Sequence, residues 1–125
     1  MKSKTIIAIV SLVLLFNSCK ENEKDNIICT LEFIYGINIT LIDVKTSKPI
    51  SDNVKAVIKD GNYEEILEVI ESNVPLLGAG ERAGTYIVTI TSDNYKTFVS
   101  EPIIVKANEC HVIPEVKTFK LEPKI

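Results

Sequence analysis

Gly84-Thr85-Tyr86-Ile87-Val88-Thr89-Ile90-Thr91 is the stretch that decides the fold. Tyr86, Val88 and Ile90 alternate with Thr85, Thr89 and Thr91, so an extended chain turns the first set to one face and the second to the other. This is a half-buried strand, predicted at the centre of its sheet. Ser92-Asp93-Asn94 supplies the turn that follows it.

Working outward, the same period recurs between turn signals. Gly36 to Val44 places Ile37, Ile39 and Leu41 on one face and Asn38 and Thr40 on the other. Lys45-Thr46-Ser47-Lys48-Pro49-Ile50 breaks the pattern, and Val54, Ala56 and Ile58 resume it with Lys55 and Lys59 toward water. Asp60-Gly61-Asn62 reads as a hairpin turn. Tyr63 to Glu71 fits helical spacing as well as strand spacing, and its place after a hairpin signal favours a strand. Asn73 to Ala83, with Pro75, Gly78 and Gly80, reads as a loop. Short strands are predicted over Tyr95–Val99 and Ile103–Val105. A last one runs from His111 to Leu121, interrupted at Pro114, which belongs at a bulge or a sheet edge because it has no amide to donate. The fold class is an all-β antiparallel sandwich, a single domain over residues 29–125.

The head of the chain is different. Lys2 and Lys4 precede an apolar run from Ile6 to Phe16, shorter than the roughly 20 residues that cross a bilayer, and Asn17-Ser18-Cys19 follows. The pattern resembles the bacterial lipoprotein signal, with Leu14, Leu15 and Ser18 matching the approach to a lipidated cysteine. The resemblance implies a signal peptide over 1–18 and acylation of Cys19. It implies a protein anchored to a membrane and not spanning it. Residues 19–28 form the lipidated start and a charged tether, Lys20-Glu21-Asn22-Glu23-Lys24-Asp25-Asn26. Such an acidic cluster resembles the surface-export signal of some Gram-negative lipoproteins; a solvated spacer explains the same residues. The expected location is the outer membrane, with the domain exposed at the cell surface.

Three segments together carry a second resemblance: Ile39 to Ile50 with its Ser-Lys-Pro-Ile turn, Val54 to Tyr63 with Asp60-Gly61, and Ala83 to Ile90 followed by Asn94-Tyr95. They are similar to the carboxypeptidase regulatory-like domain, over most of Cys29 to Pro123. That family implies a transthyretin-like, Ig-like sandwich of about seven strands and no catalytic group.

Chemistry-bearing residues are few. With Cys19 acylated, Cys29 and Cys110 are the remaining thiols of an exported chain, and they are expected to pair. His111 is the only histidine, so a His-based metal cluster is excluded and its role is read as structural. No serine stands in a Gly-x-Ser-x-Gly turn. Glu64 and Glu65 are strand neighbours and point to opposite faces. Gly78-Ala79-Gly80-Glu81-Arg82-Ala83-Gly84 imitates a phosphate cradle but leads into a strand, so a turn with one local ion pair at Glu81 or Arg82 is the better account. The net charge of -3 argues against nucleic acid. No metal, cofactor or enzymatic activity is expected. The chain reads as a non-catalytic envelope module binding a protein or a glycan, with Gly80, Glu81, Arg82 and Tyr95 as candidate contacts. The alternative is an assembly component pairing through an exposed edge strand. The absence of Trp weakens the glycan case.

Overall fold

Alternating apolar residues can be buried on one side only, and the computed structural model shows two sheets meeting along those faces; it describes residues 26–50, 52–69 and 75–125. The signal segment, Cys19 and the tether as far as Asp25 lie outside the described residues. The strands are β1 (Tyr35–Asp43), β2 (Val54–Asp60), β3 (Tyr63–Ile66), β4 (Glu68–Val69), β5 (Leu76–Gly80), β6 (Gly84–Ser92), β7 (Phe98–Val99), β8 (Ile103–Val105) and β9 (Glu115–Leu121). One sheet has the order β4-β5-β1-β9 and the other β3-β2-β6-β7, with β8 also paired to β6. The pairs are antiparallel except β1 with β9, the first and last strands, which run parallel from Ile37 opposite Glu115 to Asp43 opposite Leu121.

The core is the one the alternation predicts. Ile37, Ile39, Ile58, Tyr86, Val88 and Ile90 are wholly buried, with Leu41 and Ala56 almost so. β6 lies inside its sheet, between β2 on one side and β7 and β8 on the other. The β2–β3 hairpin closes through Gly61, whose positive φ of 57° suits a two-residue turn. Phe98 and Phe119 stack across the sandwich at 4.7 Å between centroids.

Several expectations are corrected. The segment after the hairpin is not one strand. β3 pairs with β2 in one sheet and β4 with β5 in the other, the chain crossing between them at buried Leu67. The loop expected over Asn73 to Ala83 contains a strand, β5, which lies between β4 and β1. Its glycines mislead because they are there for space: a Cβ on Gly78 would collide with the Leu67 side chain, and one on Gly80 with the Phe33 ring. Cys29, the first residue of the expected domain, lies in an exposed irregular segment ahead of β1. Tyr95–Val99 shrinks to Phe98–Val99, and His111 to Ile113 is reduced to a single bridge between Ala107 and Val112. Pro114 stands just before β9, which forms an edge of its sheet, as a residue without an amide requires.

Candidate functional site

The strands give the sandwich two ends. β1 rises about 3.3 Å per residue, so Tyr35 and Asp43 stand roughly 26 Å apart along it. At the Tyr35 end, here the near end, lie the irregular segment 26–34, the turn 81–83 and the loop 106–114. At the Asp43 end, the far end, lie the loop 44–53, the turn 92–97 and the residues after Leu121. Gly80 faces Tyr35 across the ladder and so belongs to the near end, whereas Tyr95 bonds Asp43 and belongs to the far end. The four candidate contact residues therefore do not form one site.

The near end is built from internal bonds. Cys29 and Cys110 are joined by a disulfide, Cα to Cα 5.2 Å, which ties the entering segment to the loop before β9. Beside it, Glu81 Oε1 accepts the amide of Ile34 at 2.8 Å and Nδ1 of His111 at 2.8 Å, and Oε2 faces the amide of Val112 at 3.4 Å. With Nδ1 donating to the carboxylate, Nε2 of a neutral imidazole accepts the Thr30 hydroxyl, 3.0 Å away. Thr30, His111 and Glu81 thus stand in the order of a nucleophile, base and acid. The order was invisible in the sequence, because Thr30 and His111 are 81 residues apart and no short motif joins them. The same atoms form a clamp, however: Glu81 shares its charge with two backbone amides, and Thr30 and His111 each stand next to a cysteine of the disulfide. We read the trio as structural, as His111 was expected to be.

Arg82 is also held internally. Its Nη1 donates to Asp60 Oδ2 at 2.8 Å and to the Tyr86 hydroxyl at 2.7 Å, and its guanidinium lies 3.9 Å from the centroid of the Tyr63 ring. Tyr86 in turn donates to the Arg82 carbonyl at 2.9 Å. Tyr63 donates to Glu65, which also accepts the amide of Ala79; the Glu65 bond pushes the phenol up to about 12. Glu64 points the other way and pairs with Lys59 at the surface. In place of one local ion pair at Glu81 or Arg82, Arg82 pairs with Asp60 of the β2–β3 hairpin and Glu81 bonds His111 of the loop before β9.

The Glu81 clamp has a pH signature. The Ile34 amide, with smaller help from His111 and Val112, holds the Glu81 carboxyl below its ordinary 4.5 despite some desolvation. A depressed folded value means the clamp's contribution is complete above pH 4.5 and is lost as pH falls through the lower, folded value. Glu81→Gln is expected to flatten this part of the acid-unfolding curve. Asp43, held low chiefly by the Thr46 amide, and Glu122, held low by Lys96, keep their own share. Unfolding midpoints of both proteins at a series of pH values check it, and parallel curves would count against the clamp.

The far end is open. A cavity of about 240 Å³ is lined by Pro49, Ile50, Asp52, Asn53, Asn94 and Tyr95. A neighbouring one of about 380 Å³ lies between Asn53–Lys55 and Thr91–Asp93. A third, about 360 Å³, lies between Lys96–Phe98 and Lys120–Glu122. Ser47 and Asn53 take positive φ there, which shapes the loop leading into β2. The Tyr95 hydroxyl donates to Asp43 Oδ2 at 3.0 Å and leaves the ring half-buried at the rim. Sequence reasoning singled out Tyr95 but not its companions Asn53 and Asp93, which carry no motif.

Among the described residues no group of three or more His, Cys, Asp or Glu side chains could hold a metal, and no helix is long and apolar enough to cross a membrane. Comparison with family models, curated proteins and solved structures finds no match for this chain.

Proposed function

We propose that this protein is a lipid-anchored, non-catalytic module of the bacterial cell envelope, a carboxypeptidase regulatory-like sandwich tethered through Cys19 at the outer membrane. It presents its far end to a protein or glycan ligand. The observation that supports this most is the polarity of the domain. The chain enters at the end that the disulfide, Glu81 and Arg82 close with internal bonds, and three clefts among the described residues lie at the opposite end. A tether at one end leaves the other free to meet a partner. Of the four candidate contacts, Tyr95 lies at that end, which supports it as the contact; Gly80 lies against Phe33, and Glu81 and Arg82 are engaged in internal hydrogen bonds.

A second reading, an assembly component, has one observation in its favour. β9 is paired to β1 alone and its outward row includes exposed Val116. Lys120 on the same row, with Pro114 and Pro123 at either end, argues for a guarded edge.

The test is acyl labelling and cross-linking on intact cells. The natural chain is expected to take up labelled fatty acid and to remain with the membrane, and Cys19→Ala to lose both. A cross-linked partner should disappear with Cys19→Ala. With the anchor kept, it should weaken when Tyr95 and Asn53 are replaced by alanine. An anchored protein whose partner survives those far-end replacements would move the contact to β9 and favour the assembly reading.

A further inference from the structure

The segment entering the domain carries apolar side chains that the fold leaves outside. Ile28 is 91 % exposed and Leu31 104 %, with Ile27 and Phe33 more than half exposed. Isolated exposed apolar residues are ordinary, but four within seven positions form a strip. The strip is also pinned. The disulfide at Cys29, the Thr30–His111 contact and the Ile34 amide on Glu81 fix the segment, and the Phe33 ring lies against Gly80 and edge-on to Tyr35 at 5.2 Å. Ile28 and Leu31 are thus held out from the near end on a braced backbone.

We propose that this strip rests in the surface of a lipid bilayer, making a second membrane contact for the domain. The inference rests on the reading of Cys19 as acylated. Ile27 is eight residues beyond Cys19. Such a length of chain spans at most roughly 28 Å, so the strip is confined within reach of the bilayer that holds the anchor. Ordinary interfacial insertion buries apolar groups about 5–10 Å into the headgroup boundary, a depth that projecting Ile and Leu side chains begin to reach. Glu32 lies within the strip, and the loop joined to it by the disulfide carries Glu109 and Lys106; this excess of acid disfavours an anionic surface and leaves a zwitterionic one. The contact would set the domain upright, near end on the lipid and far end outward.

The chain has no tryptophan, so a single one reports on its own surroundings. Leu31→Trp is to be made in the full chain and reconstituted in phosphatidylcholine vesicles. Val99→Trp is the control: Val99 is 59 % exposed and pairs with Thr89, past the middle of β6. Mass spectrometry first establishes whether Cys19 is acylated. On the acylated protein, the Leu31→Trp variant is expected to emit further to the blue than the Val99→Trp control and to lose most of its emission to brominated lipid, while the control keeps its own. Equal, unquenched emission from both would overturn the proposal. So would a blue shift that brominated lipid leaves untouched and that grows with protein concentration, which would assign the strip to a second copy of the chain. If Cys19 carries no acyl chain, the anchor reading fails by itself. The free Leu31→Trp protein is then titrated with the same vesicles, where quenching of its emission upholds the lipid contact and the absence of quenching overturns it.

Discussion

Tyr86→Ala is expected to destabilise the domain by about 3–5 kcal/mol, a large part of the roughly 5–15 kcal/mol a small domain has in total. Tyr86 is wholly buried in the central strand and is the largest side chain so placed. Removing its ring leaves a cavity between the sheets that the surrounding isoleucines and valines can only partly close. The same change removes the hydroxyl that bonds both Nη1 and the carbonyl of Arg82, so the turn entering β6 loses its fixture. Tyr86→Phe separates the two contributions. It keeps the ring and is expected to cost only about 0.5–1.5 kcal/mol, the net worth of an ordinary hydrogen bond, with somewhat more if the Arg82 carbonyl finds no water. Urea unfolding of the three proteins measures both differences. A Tyr86→Ala protein within about 1 kcal/mol of the parent would mean the ring is not the centre of the core.

The second large effect concerns the disulfide. Cys29 and Cys110 are 81 residues apart, so their bond closes nearly the whole domain into one loop. Such a closure typically contributes about 2–4 kcal/mol by restricting the unfolded chain. Cys110→Ser, or reduction of the natural protein, is expected to lower Tm on the order of 10–25 °C at this domain size. Calorimetry with and without reductant checks it. An unchanged Tm would show that Glu81 and His111 hold the entering segment without help. Reduction should also release Ile28 and Leu31 from their braced position, so exchange of the Ile34 and Val112 amides, both bonded to Glu81, should quicken before the core opens.

Much of the fold was legible because strand alternation is a local code. Ile37-x-Ile39-x-Leu41, Ala56-x-Ile58 and Tyr86-x-Val88-x-Ile90 each declare a buried face without reference to any other part of the chain. Asp60-Gly61-Asn62 declares a turn in the same way, since a positive φ is a property of a few residues. What escaped was non-local. β5 looked like a loop because glycine is a turn former in isolation; at Gly78 and Gly80 it makes room for Leu67 and Phe33, which arrive from elsewhere. The change of sheet at Leu67 escaped for a related reason, since no sequence period marks the point at which a strand gives up one partner for another. One local ion pair was expected at Glu81 or Arg82, yet the partners of these residues, His111 and Asp60, come from a different loop and a different hairpin.

By itself, then, the sequence determined which residues of the domain are inward and that the domain is all-β. Both follow from side-chain polarity at period two. The tertiary structure alone decided which end each loop belongs to. It put Tyr95 beside Asp43 and Glu81 beside His111, at opposite ends of β1, and so divided a candidate site that looked single. The physical reason is that strand pairing fixes positions in space through the register of two distant segments, and register is a property of the pair that neither segment carries alone.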